Sequence, residues 1–337
     1  MSTRERPGGT GAGKRPGGMS TGERPGGHPP GQEARNRAMT TMTTGPRRTV
    51  WRAVWHEIHL SWLFIRSDRW TTVFPATCFV LAAAVHTRLS PGQTAVAVAL
   101  GAVYFWLFVY EHTLANQLVG VEEDRVNKPL RPLVCGRSSV KGARLRLIAV
   151  RIAFPVYGYC LGVLEWALLW QVLSLLQHEC GWGRHWLGRN LYAGIGVVAQ
   201  LAAAWQIVAP VTPDAWRWIA TLTVTVTLLM SVQDLRDITG DRAVGRSTMP
   251  LVFGERNTRV FLCVGFALGP LAIHHFLMAP AGPHWWVLAT DAVLGGLSLL
   301  LAFRVVLRRG RRNDQHTYRL VEQWYTLALA ASLYILR

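Results

Sequence analysis

Charge is scarce in this chain. Only 16% of its 337 residues are Asp, Glu, Lys or Arg, against roughly 25% in soluble domains. Acid is the scarcer sign, with 19 Asp and Glu facing 36 Lys and Arg. So small a charged fraction excludes an ordinary water-facing surface over most of the chain. Cysteine is sparse and unorganised. Cys78, Cys135, Cys160, Cys180 and Cys263 stand apart without a Cys-x-x-Cys pair, which argues against a structural zinc site or a disulfide framework. The first 49 residues hold no apolar run of the length a signal peptide uses.

Apolar residues fill the space that charge leaves. Half the chain is hydrophobic, with 15 Trp, and from about residue 71 onward runs of membrane-spanning length dominate. Each run is near the ~20 residues a helix needs to cross a bilayer. We expect nine spans, at 71–88, 94–119, 142–161, 163–178, 188–209, 213–233, 258–278, 284–304 and 317–335. The 142–178 stretch is too long for one span, and Pro155 within it is tolerable as a kink. The Trp-rich segment 50–69 reads as an interfacial helix leading into the first span. Ahead of it, residues 1–49 are rich in Gly, Pro, Arg and Thr and repeat Arg-Pro-Gly-Gly at 6–9, 15–18 and 24–27. Such a segment cannot bury enough apolar surface to offset its ordering entropy, so a disordered basic tail is expected at 1–49 and one membrane domain at 50–337.

The net charge of +17 divides between that tail and the loops: residues 1–50 hold nine Lys/Arg and three Asp/Glu. Basic loops beside apolar spans are what membrane orientation requires, so a nucleic-acid partner is not expected. Arg125, Lys128, Arg131, Arg137 and Lys141 crowd the second loop, and Arg308, Arg309, Arg311, Arg312 and Arg319 the eighth. The positive-inside rule then puts the even loops and the N-terminus in the cytoplasm of a cell-membrane protein.

Against this background two acidic clusters stand out. The first runs from Asn116 through Glu122, Glu123 and Asp124 to Lys128 and Arg131; the second is Asp234-Leu-Arg-Asp237-Ile-Thr-Gly-Asp241. Both fall on the expected cytoplasmic side. If the second span stays helical, Asn116, Gly120, Glu123 and Asp124 share one face, as do Asp234, Asp237 and Asp241. A single acidic loop residue is ordinarily a solvated charge, but two ordered clusters at span ends call for a cation. Separated hard oxygen donors suit Mg²⁺, which keeps waters and binds substrate phosphates. Lys128, Arg131, Arg236 and Arg242 can reach phosphate oxygens, and the pair of clusters then forms a clamp that stabilises diphosphate as a leaving group.

These motifs closely resemble those of the UbiA superfamily of intramembrane prenyltransferases, over roughly residues 55–335. The family carries an Asn-(Asp/Gln)-x-x-Asp-x-x-x-Asp motif after its second span and Asp-x-x-Asp-x-x-Gly-Asp after its sixth. Asn116-Gln117 through Asp124, then Asn127-Lys128-Pro129 and Arg131-Pro132-Leu133, are similar to the homogentisate-prenylating branch. Asp234, Asp237, Gly240 and Asp241 match the second motif in full, followed by Gly245, Thr248, Pro250 and Gly254. The resemblance implies an all-α, nine-helix bundle around a central cavity, with Asn116, Asp124 and Asp234 catalytic. It implies two Mg²⁺ sites, one on Asn116, Glu123 and Asp124 and one on Asp234, Asp237 and Asp241, bridging to an isoprenyl diphosphate. Arg66, Lys128, Arg131, Arg184 and Arg242 are expected at the substrate, with Asn190 as a further lid or diphosphate contact. One position departs from the pattern: the family's first metal Asp is Gly120 here, and Glu122, Glu123 or a water must take its place.

The first functional expectation is a Mg²⁺-dependent transferase that ionises an isoprenyl diphosphate and passes the prenyl group to a lipophilic, aromatic acceptor from the bilayer. The alternative, raised by Gly120, is a membrane terpene cyclase of the same superfamily, in which the cation attacks its own chain without an acceptor. A transporter also uses broken helices and buried charge, but does not explain the ordered Asp motif. Of the aromatics, Phe105 and Trp106, about three turns before Asn116, are the candidates for lining the cavity.

Overall fold

The computed structural model describes residues 46–337, with side chains from Val50. The tail expected to be disordered therefore lies outside the described residues, apart from 46–49, which already belong to helix α1 (Pro46–Ile65). The chain divides into two compact units, Met1–Ala53 and Val54–Arg337. Of the first, only the helical run 46–53 is described. The second carries the bundle.

The described chain is all α, with no strand beyond one isolated bridge. After α1 come α2 (Val73–His86), α3 (Pro91–Val119), the short α4 (Val121–Asn127), α5 (Val140–Cys160), α6 (Leu164–His178), α7 (Trp186–Gln206) and α8 (Pro213–Leu229). Then follow α9 (Asp234–Ala243), the single turn α10 (Met249–Val252), α11 (Glu255–Ile273), α12 (Trp285–Leu307) and α13 (Arg311–Ile335). Local chemistry sets these bounds. Ser90 caps α3 in a full capping box with Gln93, ahead of Pro91. Ser139 and Thr212 cap α5 and α8 through their hydroxyls. The 142–178 stretch is two helices, as expected: Gly162 at φ 70° breaks them apart, while Pro155 stays inside α5.

Among the described residues, four helical runs are long and apolar enough to cross a membrane on their own: 91–119, 213–232, 255–281 and 285–307. The remaining expected spans fall on helices that are shorter or carry more polar residues. The outer faces are apolar. Val96, Leu100 and Val103 on α3, Ile148, Ile152 and Val156 on α5, and Val260, Val264, Leu268 and Leu271 on α11 are exposed at helical spacing. The inside is where polar groups pair. Small residues bring the helices together: a Cβ on Gly194 of α7 would stand 1.7 Å from Thr227 Oγ1 of α8, the close approach that glycine permits between packed helices.

The second half is tied by one buried ion pair. Arg259 of α11 donates to both carboxylate oxygens of Asp314 on α13, each at 2.8 Å, and to the Val305 carbonyl of α12 at 2.7 Å. Both side chains are 2% exposed. Removing one partner leaves a buried charge uncompensated, at about 3–5 kcal/mol, whereas replacing both with apolar groups is far milder. Arg259→Met should therefore lower the thermal midpoint in detergent sharply, and the double change Arg259→Met/Asp314→Leu should recover most of the loss.

Candidate functional site

The site forms where two long helices end and short ones begin. α3 stops at Gly120 and α4 takes over, yet Gly120 N–H donates to the Asn116 carbonyl and Asp124 N–H to the Gly120 carbonyl, both at 2.9 Å. The helical register thus crosses the break, and Asn116, Glu123 and Asp124 keep a common side. α8 ends in a 3₁₀ turn at Met230–Val232, and α9 starts directly with Asp234. α4 and α9 then pack against each other. Their contact explains the glycine of the second motif: a Cβ on Gly240 would lie 2.1 Å from Asn127 Nδ2. Asn127 Nδ2 uses that space to donate to the Asp237 carbonyl and to Glu123 Oε1, each at 3.4 Å.

Glu123, Asp124, Asp234, Asp237 and Asp241 are all buried. Each meets a cation. Asp124 accepts from Arg131 at 2.6 Å, Asp234 from Arg189 at 2.8 Å, and Asp241 from Arg246 at 3.0 Å. Arg246 also contacts Glu123, and Asp237 lies 3.7 Å from Lys128 and 3.4 Å from Arg236. Burial raises Asp241 to about 6 in spite of Arg189 and Arg246, and raises Asp124 against the pull of Arg131 and Lys128. Asp237 goes the other way: burial raises it, but Lys128, Arg236 and Arg189 together hold it below the usual carboxylate range. Burial, reinforced by Arg131, lowers Lys128.

At the altered position the two neighbouring acids point in different directions. Glu122 is exposed and paired with Arg125. Glu123 turns inward, with Oε2 3.7 Å from where a Gly120 Cβ would be. Its carboxylate lies beside the position a side chain at 120 would occupy, where Arg246 contacts it.

A partly open cavity of about 950 Å³ adjoins these groups; Glu123 and Asp237 line it, whereas Asp124, Asp234 and Asp241 are set behind its wall. Asn116, Glu123, Asp237, Lys128, Arg131 and Arg66 line it, as do Arg189 and Arg246, which the sequence reading left out. Arg184 and Arg242 are exposed and are not among the lining residues. Arg184 instead contributes its carbonyl, which accepts from Ser247 N–H at 2.7 Å, while Trp186 N–H donates to the Ser247 carbonyl at 2.9 Å. This hook between the loops before α7 and after α9 brings Arg189 and Arg246 to the acids. Asn190 is buried and accepts from Ser231 Oγ at 3.1 Å, so it joins α7 to the α8–α9 turn.

The aromatic expectation needs correction. Phe105 is fully buried against Tyr104 and Phe108, and Trp106 stacks on Trp62 and donates to Ser61 Oγ at 3.2 Å. The cavity is walled by Phe108, Trp170, Tyr192, Tyr318 and Tyr325 instead.

Among the described residues no three His, Cys, Asp or Glu side chains converge as a ready-made metal centre. The donor chemistry nonetheless fits Mg²⁺ shared with a phosphate ligand. Asp124 Oδ1, Asp234 Oδ2, Asp241 Oδ2 and Asn127 Oδ1 are buried without a hydrogen-bond partner, an arrangement that is unfavourable unless something cationic or a water meets them. A few carboxylates plus substrate oxygens and water is how Mg²⁺ is usually held.

Comparison with known proteins points to one family. The sequence profile of the UbiA prenyltransferase family matches residues 72–327. The chain is 90% identical over 299 residues to the somaliensene A/B synthase of Streptomyces somaliensis, covering 89% of this chain and 100% of that one. It is 33% identical to the diterpene cyclase eriG of Hericium erinaceus, over 84% of this chain and 90% of the cyclase. It is 34% identical to the polyprenyl transferase eriF of the same fungus, over 80% and 92%. Among solved structures, a UbiA homologue from Archaeoglobus fulgidus bound to GPP and Mg²⁺ shares the fold at a TM-score of 0.58 and 16% identity, covering 81% of this chain and 99% of that one.

Two outcomes follow from the geometry. With its carboxyl raised to about 6, Asp241 would have to give up a proton to hold Mg²⁺ at lower pH. Mg²⁺ affinity, measured calorimetrically with inorganic diphosphate present, should therefore weaken as pH falls through 6, with proton release on binding. Gly240→Ala should overpack the α4–α9 contact, lowering stability by about 1–3 kcal/mol and weakening Mg²⁺ binding together.

Proposed function

The chain belongs to the UbiA prenyltransferase family, and from that premise we propose that it is a Mg²⁺-dependent membrane terpene cyclase, which ionises an isoprenyl diphosphate and closes the resulting cation on itself. The observation that carries this reading is the 90% identity, over the whole length of the other protein, to a somaliensene A/B synthase. The acceptor-dependent transferase, placed first by the sequence reading, becomes the second reading. The lower identities to eriG and eriF, one a cyclase and one a transferase, do not separate the two.

The residues divide the work. Asn116, Glu123 and Asp124 hold one Mg²⁺, and Asp234, Asp237 and Asp241 the other, with Glu123 standing in for the acid missing at Gly120. Bound Mg²⁺ neutralises the charge that develops on the departing diphosphate. Arg66, Lys128, Arg131, Arg189 and Arg246, all lining the cavity, are within its walls to grip diphosphate oxygens and orient carbon 1 toward the apolar interior. Charge-assisted bonds from guanidinium to phosphate are the strong kind. Phe108, Trp170, Tyr192 and Tyr325 bring aromatic rings to the cavity wall, where they stabilise a carbocation and keep water from quenching it, while Tyr318 already carries the Arg236 guanidinium over its ring. Nine crossings, with the carboxylate end of the cavity on the cytoplasmic side, complete the proposal; the basic loops support that orientation.

Purified protein with Mg²⁺ and geranyl, farnesyl, geranylgeranyl or geranylfarnesyl diphosphate should release a cyclic hydrocarbon from at least one of them with no acceptor added. Product formation only when an aromatic acceptor is supplied would favour the transferase. Asp124→Ala and Asp234→Ala should each lower diphosphate release by about 10²–10³-fold. Glu123→Gln should weaken Mg²⁺ affinity by about tenfold or more, while Glu122→Gln leaves it unchanged; equal effects would remove Glu123 from the metal site.

A further inference from the structure

The carboxylates and arginines account for one end of the cavity. They leave unexplained a group of polar side chains set among its aromatic walls. His112 lies one helical turn before Asn116 on α3, so it shares that face, about 6 Å deeper at the ordinary helical rise. Its Nδ1 is 2.7 Å from Tyr192 Oη and 3.2 Å from His178 Nε2. Around it, Trp170 lies flat on Phe108 with ring centres 3.9 Å apart and planes 13° apart, and the Tyr192 ring sits 5.1 Å from Trp170. The His112 ring is 5.8 Å from that of Trp170. Phe108, His112, Trp170, His178 and Tyr192 all line the cavity.

Two polar contacts on one ring nitrogen have a chemical consequence. In the tautomer whose Nδ1–H donates to Tyr192 Oη, Nε2 carries the free lone pair. A neutral imidazole held this way, in a cavity shaped for hydrocarbon and one turn from the diphosphate end, has the means to accept a proton. Hydrocarbon formation from a cation requires such a step.

We propose that His112 is the base that terminates the reaction, with Tyr192 as its positioning residue. This rests on the cyclase reading above. Nε2 takes a proton from a carbon adjacent to the cationic centre. The electrons of that C–H bond become the new carbon–carbon π bond, and the cation is discharged as a neutral alkene. The imidazolium is held by Tyr192 Oη and the neighbouring ring faces, and its proton passes to water as the product leaves.

The test compares product spectra of wild type, His112→Gln, His112→Phe and Tyr192→Phe, with Mg²⁺ and the prenyl diphosphates named above and no acceptor. Ionisation precedes proton loss, so His112→Gln should release diphosphate within about threefold of wild type, while the principal hydrocarbon falls by at least about tenfold as a share of product, replaced by isomeric alkenes or an alcohol. Tyr192→Phe should shift the same products in the same direction, less far. A histidine that only shapes the wall would leave His112→Phe, whose ring fills the same space, closer to the wild-type products than His112→Gln, an outcome that would also overturn the proposal. Unchanged ratios in His112→Gln and in whichever of the other variants fold would overturn the proposal and leave the departing diphosphate as the base. If wild type yields no hydrocarbon, the cyclase reading itself falls, an outcome separate from unchanged ratios in active variants. Should His112→Phe not fold, His112→Gln still decides, because Gln keeps a polar contact to Tyr192 but is no base.

Discussion

Buried negative charge is the constraint that organises this molecule. An isolated carboxylate in a low-dielectric interior is untenable unless it is paired. Asp124, Asp234 and Asp241 are paired to Arg131, Arg189 and Arg246, each through one oxygen, leaving the other without a protein partner. Arg189 joins α7 to Asp234 of α9, and Arg246, shared between Asp241 and Glu123, joins the end of α9 to α4. They also leave the site half satisfied. A fully satisfied network would be a structural knot, and one without arginines would not survive burial. The observed intermediate suits a site that must take up a divalent cation and a phosphorylated ligand together.

The elements that read most clearly from sequence were those with a strong local signal. Acid is so scarce in this chain that Asp234, Asp237 and Asp241 announced themselves, and their helical spacing survives on α9. The α5–α6 break was legible because 37 residues exceed one span and Gly162 stands between them. Arg189 and Arg246 were not legible as counter-ions, because what brings them in is the pairing of Arg184 and Ser247 backbones, distant in sequence. Arg184 and Arg242 looked equivalent to them by composition alone but point elsewhere. Phe105 illustrates a different limit. Its distance from Asn116 puts it near the same helical phase, but the Phe108–Trp170 stack closes the cavity one turn above it, and depth is a tertiary property.

Gly120 shows how a departure along the chain can have an acidic neighbour in space. The departure looked like a lost ligand when read along the chain. In space, Glu123 lies one turn on, and its longer side chain returns the carboxylate to the same neighbourhood. The choice between Glu122 and Glu123 was set by which face of α4 meets α9, information that exists only once both short helices are packed. His112 was overlooked for a related reason: a lone histidine in an apolar helix has no local signature, and its partners Tyr192 and His178 come from two other helices.

The separation of partners along the chain has a consequence for biogenesis. Asp124 meets its counter-ion only seven residues later, so that pair can close as soon as the segment emerges from the ribosome. Asn127 must wait for Asp237, 110 residues on, and Glu123 for Arg246 later still. During synthesis the first half of the site is thus an incomplete, charged element at a bilayer surface, awaiting a helix not yet made. Chains truncated before α9 would leave Glu123 and Asn127 without these partners.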